Sequence, residues 1–288
     1  MNYQWYPGHM TKAKRMMEEN IKLIDLVIEV VDARIPIASR NPDIDTLGKN
    51  KFRMILLNKS DLADPKWNAL WLEAFKKQGF FVVEVNSKKG TGMKEIEKTV
   101  ALACKEKTER DRKRGIINRP VRAMVVGIPN VGKSTFINSF SGRACTKTGN
   151  KPGVTKGKQW IRLRKDLELL DTPGILWPKF EDQEIGLNLA LIGSMNDEVL
   201  SVEELALQCI DKIKKFYPGM LNKRYNINEE VGNPEILSQI ADNRKCYQKG
   251  NELDYRKAAM LLLDDFRNAQ IGRITLERPV EKDEKQYG

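Results

Sequence analysis

The nine residues Gly127-Ile128-Pro129-Asn130-Val131-Gly132-Lys133-Ser134-Thr135 constrain this chain more than any other stretch. They fit the pattern G-x-x-x-x-G-K-[ST] in full. The preceding Val121-Arg122-Ala123-Met124-Val125-Val126 is β-branched and apolar and predicts a buried strand. Phe136, Ile137 and Phe140 predict a helix that starts at Ser134. Strand, glycine-containing loop and helix form the setting in which such a loop wraps a polyphosphate. Gly127 and Gly132 permit turns that a Cβ would block. The amides from Asn130, Val131 and Gly132 to Lys133, Ser134 and Thr135 then face the phosphates, and the helix N-terminus adds partial positive charge. Lys133 is expected to reach the β- and γ-phosphates, and Ser134 to ligate Mg2+.

Around this loop, strands alternate with helices. Leu26–Val31, Met54–Leu57, Phe80–Val85, Trp160–Arg164 and Leu167–Leu170 read as further strands. Helical spacing marks Lys66–Lys77, where Trp67, Leu70, Trp71, Ala74 and Phe75 form a stripe read as core, and Met93–Cys104. Lys105 to Arg122 is expected to carry that helix on into an exposed crossover. A helix from Thr11, with Lys12, Lys14 and Arg15, follows the aromatic opening turn. The alternation predicts an α/β fold with a mostly parallel sheet over residues 1–180. After Phe180 the strand signal ends. Glu184–Met195, Val202–Phe216, Glu235–Tyr247 and Tyr255–Phe266 predict a smaller all-α domain over residues 181–288.

Charge divides the same way. Residues 1–180 carry 35 Lys and Arg against 19 Asp and Glu, and residues 181–288 carry 15 against 20. A basic half of this size points to a polyanion beyond the nucleotide, most simply nucleic acid. No apolar run approaches the roughly 18 residues of a membrane helix, and no signal peptide is expected at the N-terminus. The four cysteines are far apart and the chain has one histidine, so reduced thiols, a cytoplasmic location and no structural zinc are expected.

The loop alone does not choose between ATP and GTP; Asn58-Lys59-Ser60-Asp61 does. It closes a strand, where open α/β sheets bind ligands. The Asp61 carboxylate can accept from N1–H and the exocyclic amine of guanine, a donor pair that adenine lacks. Asn58 would approach the acceptor edge of the base, and the Lys59 stem would cover the ring. Asn86-Ser87-Lys88 would bring a loop to the guanine oxygen. Downstream, Thr155 and Asp171 are candidate Mg2+ ligands with Ser134. The Gly174 amide, in Asp171-Thr172-Pro173-Gly174, would face the γ-phosphate. Segments of this kind are released on hydrolysis in GTPase switches.

These five motifs are those of small GTPases, with the base-reading pair ahead of the phosphate loop. That order resembles the circularly permuted GTPases. The stretches Trp5-Tyr6-Pro7-Gly8-His9-Met10, Asp32-Ala33-Arg34-Ile35-Pro36, Gly127 to Thr135, and Asp171 to Phe180 resemble the ribosome biogenesis GTPase A family. The resemblance implies a GTP/GDP-binding GTP hydrolase with Mg2+ that acts in late assembly of the large ribosomal subunit precursor. It also implies contact with rRNA, and hydrolysis that is slow until the particle stimulates it. A monomer is expected.

Ile175 stands where small GTPases place a water-orienting Gln. His9 is then the candidate for the vacant catalytic role, orienting water through a neutral imidazole; its alternatives are packing in the aromatic turn or contact with RNA. Asn130 matches the position where related potassium-stimulated GTPases carry Asn, so a K+ ion beside the phosphates is a further expectation. Two other functions stay open at this point: a GTP-gated RNA-binding scaffold with little turnover, and a GTPase of tRNA modification.

Overall fold

The structure is a computed structural model that describes residues 8–117, 119–146, 159–163, 165–177, 182–195 and 201–279, with the backbone alone at 8–10. In chain order the strands are β1 (Leu26–Asp32), β2 (Phe52–Asn58), β3 (Phe81–Glu84), β4 (Val121–Val126), β5 (Gln159–Arg162) and β6 (Leu167–Asp171). They form one sheet in the order β3-β2-β1-β4-β6-β5. All neighbours are parallel except β5, which runs antiparallel to β6 at the edge. The strands before the phosphate loop therefore lie on one flank of β4 and those after it on the other. Every parallel strand delivers its C-terminal end to one edge of the sheet, which is why the motifs converge whatever their chain order.

The helices of this part are α1 (Gly8–Asn20), α2 (Pro42–Leu47), α3 (Pro65–Lys77), α4 (Met93–Ala103), α5 (Lys105–Lys113) and α6 (Lys133–Ser141). β1 is buried along its whole length, as a strand covered on both faces must be, and its residues reach two cores. Val31, with Ile55, Leu57 and Val82, packs on Trp71 and Phe75 of α3. Val30, with Met54, Leu56 and Val83, joins Ile96 and Val100 of α4 and Phe136 of α6 in a second, larger core. The aromatic stripe of α3 is thus core at Trp71 and Phe75, while Leu70 stays exposed.

Beyond the sheet lie α7 (Gln183–Leu191), α8 (Val202–Phe216), α9 (Met220–Tyr225), α10 (Asn233–Asn243) and α11 (Tyr255–Arg267). Ile210 and Ile213 of α8, Ile236 and Ile240 of α10, and Leu262 and Phe266 of α11 continue the larger core. The chain then doubles back. Ile274 N–H donates to Leu62 O at 3.2 Å, and Leu276 N–H to Arg34 O at 2.8 Å. The last described residues are therefore fastened to the loops after β1 and β2, at the same edge as the motifs.

Several elements differ from the sequence reading, among them α2, where no helix was expected. The first helix starts at Gly8, one turn before Thr11. The helix through Lys105 is broken at Cys104, whose backbone leaves helical geometry and separates α4 from α5. Short α9 follows Gly219, between two expected helices and in a stretch where none was expected.

Candidate nucleotide site

At the shared edge, β2 ends beside the phosphate loop. The Asn58 side-chain amide donates to Val131 O at 2.7 Å, and its Oδ1 accepts from Ser87 N–H at 3.1 Å. One buried amide thus ties the loop after β3 to the phosphate loop. Gly132 is required by this tie: its φ is 97°, and a Cβ there would lie 2.5 Å from the Asn58 Nδ2. Lys59, with a left-handed φ of 57°, sends its ammonium across to Asn130 O at 2.7 Å and Asp32 Oδ2 at 3.1 Å. Asp61 stands half-buried, with no protein partner among the described residues. Asn86 is buried and its Oδ1 accepts from Lys89 N–H, closing the turn that carries Ser87, whose hydroxyl is buried and unpartnered.

On the other flank, Lys133 is buried under the loop and donates to Gly127 O at 3.0 Å and Ile128 O at 2.8 Å. Burial lowers its ammonium to about 8 even though Asp171 works the other way. Both Asp171 carboxylate oxygens are buried without a hydrogen-bond partner, and burial pushes that carboxyl up to about 6 against the pull of Lys133. A buried carboxylate with orphaned oxygens near Lys133 is a donor suited to a hard cation such as Mg2+, which takes one or two protein oxygens along with phosphates. Thr172 fixes the segment by donating from its hydroxyl to Val125 O at 2.8 Å. Gly174 is then pressed on the phosphate loop: a Cβ there would lie 2.8 Å from Lys133 Nζ, Pro129 Cα and Pro129 N. Ile175 is buried and faces Met17, Ile44 and Leu47 of α1 and α2 across a cavity of about 140 Å³.

The helical part touches this loop directly. Asn130 Nδ2 donates to Gly193 O at 2.6 Å, and the Ser194 hydroxyl donates to Pro129 O at 2.9 Å. The Arg267 guanidinium caps the end of α7 by donating to Ala190 O and Leu191 O, each at 2.9 Å.

The structure thus brings Asn58, Lys59, Asp61, Asn86, Ser87, the loop from Asn130 to Thr135, Asp171 and Gly174 to one edge. Thr155 and the side chain of His9 lie outside the described residues; the His9 backbone sits in the first turn of α1. Sequence reasoning assigned no role to Asp32, Arg34, Gly193 or Ser194. The Asp32-Ala33-Arg34 run was visible at a strand end, which is a signal for a site. Gly193 and Ser194 gave none, because their contacts to the loop are made across the fold.

A sheet with a phosphate loop on its central strand, a guanine-type N-K-x-D motif on the preceding flank and D-x-x-G on the following one defines a circularly permuted P-loop GTPase, a GTP hydrolase. The chain is 46% identical to the ribosome biogenesis GTPase A of Bacillus cereus over 282 residues, which is 98% of this chain and 95% of that one. It belongs to the ribosome biogenesis GTPase A family. It is similar in structure to GNP-bound YlqF from Thermotoga maritima, with a TM-score of 0.68 at 30% identity over 94% of this chain and 99% of that one. For GDP-bound YlqF from that organism the TM-score is 0.67 at 28% identity, over 91% and 98%. The family described as 50S ribosome-binding GTPase matches residues 122–238.

Proposed function

We propose that this chain is a cytoplasmic assembly factor for the large ribosomal subunit precursor, in which bound GTP sets the position of the helical part and the particle stimulates hydrolysis. The observation that carries this reading is the contact of Gly193 and Ser194 with Asn130 and Pro129, because it gives the helical part a direct hold on the loop that wraps the phosphates. Two segments of opposite charge and different fold are thereby linked at the one place where the γ-phosphate appears and disappears. The names of the relatives and the 50S-binding description of the matched family support the ribosomal partner.

In this reading Asp61 accepts from the guanine edge, Lys59 covers the ring, and Asn58 holds the two loops around the base. The amides from Asn130 to Thr135 bind the phosphates, and Lys133 exchanges its bonds to Gly127 and Ile128 for phosphate oxygens. Ser134, Thr155 and Asp171 would hold Mg2+, which when bound supplies positive charge to the β- and γ-phosphates. The Gly174 amide faces the γ-phosphate, and His9 orients the attacking water. Asn130 would hold a K+ ion whose charge supports the transition state, and hydrolysis is expected to fall when sodium replaces potassium at matched ionic strength.

The buried apolar Ile175 favours a second reading, a GTP-gated RNA-binding scaffold with little turnover, since this side chain orders no water. Cosedimentation of the chain with large-subunit particles, with a parallel phosphate-release assay, separates the two. The assembly GTPase reading expects tighter association in a GTP analogue than in GDP, and particle-stimulated release. Association that ignores the nucleotide refutes it, and nucleotide-dependent association without stimulated release supports the scaffold.

A further inference from the structure

Behind the proposed base pocket lies a buried charge cluster that none of the nucleotide motifs accounts for. The Arg34 guanidinium grips Asp32 with two bonds, Nε to Oδ1 at 2.9 Å and Nη2 to Oδ2 at 2.7 Å. Arg34 N–H adds a third, to Oδ1 at 3.1 Å. Asp32 N–H in turn donates to the Ser39 hydroxyl at 3.0 Å, so the Asp32 backbone is tied to the far end of the loop that follows β1. Both side chains are buried. Burial works to raise the Asp32 carboxyl, but Arg34 and then Lys59 outweigh it and hold it well below the usual carboxylate range. A buried ion pair is a weak source of net stability, since desolvation offsets most of the attraction. Its geometry is therefore the more informative feature, and that geometry ends on Lys59.

We propose that Asp32 and Arg34 are positioning residues for guanine-nucleotide binding: Asp32 pins the Lys59 ammonium against the phosphate loop, and Arg34 ties that pin to the end of α11. The proposal rests on the base-pocket reading and deepens it. A free lysine stem samples many rotamers, and a nucleotide that uses it as a ring cover must order it. Here the Lys59 Nζ is already bracketed, by Asp32 Oδ2 at 3.1 Å and Asn130 O at 2.7 Å, so the stem lies across the base site before the nucleotide arrives.

The second half of the proposal follows from the outer face of Arg34. Its Nη1 donates to Arg267 O at 3.1 Å, at the last residue of α11. The guanidinium of that same Arg267 caps α7, whose following residues Gly193 and Ser194 hold the phosphate loop. Base side and phosphate side thus meet at one arginine of the helical part. A shift of α11 moves Asp32 through Arg34, and with it the lysine over the base. Nucleotide affinity and the placement of the helical part are then two readings of one linkage.

The test is a double-mutant cycle on affinity for a fluorescent GDP derivative, with the fold of each variant checked by thermal melting. Lys59→Met and Asp32→Asn are each expected to weaken GDP by about tenfold, the loss of one charge-assisted hydrogen bond or its ordered stem. In the Lys59→Met background, Asp32→Asn is expected to have no further effect, because it acts through the lysine. A purely structural role for Asp32 would instead add its full effect in both backgrounds, and that result overturns the proposal. If Asp32→Asn does not fold, Arg34→Lys, which keeps the charge but loses the fork and the reach to Arg267, carries the same cycle with the same criteria. If Lys59→Met alone leaves GDP affinity unchanged, the base pocket is misassigned and the proposal falls with it. If Lys59→Met weakens GDP and the folded Asp32 or Arg34 variant does not, the pocket stands and the positioning role is refuted.

Discussion

The side-chain amide of Asn58 donates to Val131 O at 2.7 Å, across 73 residues of sequence. That bond joins the end of β2, where the proposed base-reading motif lies, to the phosphate loop, and it shows how the motif order can be permuted. The site requires that the two strand ends be neighbours on one sheet edge, with β1 between them, and it is indifferent to which is synthesised first. Strands that run parallel keep their C-terminal ends together in either order.

The close seat of Gly174 on Pro129 and Lys133 makes a specific substitution informative. Gly174→Ala inserts a methyl at 2.8 Å from two backbone atoms of Pro129, which cannot give way as a flexible side chain would. The expected outcome is a loss of about tenfold or more in GTP turnover that exceeds any loss of GDP affinity, because Gly174 carries the amide proposed to face the γ-phosphate. Single-turnover hydrolysis and GDP titration check the two halves.

Glu277 joins three parts of the chain. Its carboxylate accepts from Ile37 N–H at 2.6 Å, Ala38 N–H at 3.1 Å and Asn188 Nδ2 at 3.2 Å. Glu277→Ala strands these donors and frees the returning C-terminal segment from α7. The expected cost is about 2–3 kcal/mol, or roughly 5–10 °C in Tm, measured by calorimetry in the absence of nucleotide.

The basic run from Lys105 to Arg122 divides in the structure. Lys107 is buried against Asp25 and Asp111, and Arg122 pairs with Glu168 over the Trp160 ring. Lys105, Arg110, Arg112, Lys113 and Arg114 are exposed. If these contact rRNA, affinity for the large-subunit particle falls with salt at a log–log slope of roughly −0.7 to −0.9 per phosphate neutralised. Arg112→Ala combined with Lys113→Ala should then make the slope shallower by about two such contacts, as read by filter binding across a salt series.

Much of this was legible in the chain. Strand ends at Asp32, Asn58, Val126 and Asp171 follow from apolar runs stopped by polar or glycine residues, and the motifs lie within a few residues of those stops. The burial of Trp71 and Phe75 followed from helical spacing. The docking of the helical part was not legible, because it depends on backbone carbonyls at Pro129, Gly193 and Arg267, which carry no residue-type signal. Nor was the return of residues 268–279, whose anchoring bonds to Leu62 and Arg34 are also made by backbone atoms. Local propensity sees the ends of elements and is blind to which carbonyl of another element they meet.

The water-orienting role proposed for His9, which buried Ile175 leaves open, makes one further prediction. His9→Ala is expected to leave GTP affinity within about twofold and to remove most of the particle-stimulated turnover, a loss of about 100-fold if it positions the attacking water. Stimulated turnover measured at saturating particle concentration decides it. Loss that disappears on saturation marks a docking residue instead.

The proposed guanine pocket is formed by residues that precede the phosphate loop in the chain. Equilibrium competition of GTP, ATP and XTP against a fluorescent GDP derivative, on wild type and on Asp61→Asn, measures it. The half-buried Asp61 carboxylate, with no protein partner among the described residues, is available to accept from the base. Wild type should prefer GTP over ATP by about 100-fold or more, and Asp61→Asn should lose GTP by a comparable factor while gaining XTP, because the amide offers a donor to the xanthine carbonyl. Wild type that binds ATP as tightly as GTP, or an Asp61→Asn variant that keeps its preference for GTP over XTP, would contradict the account.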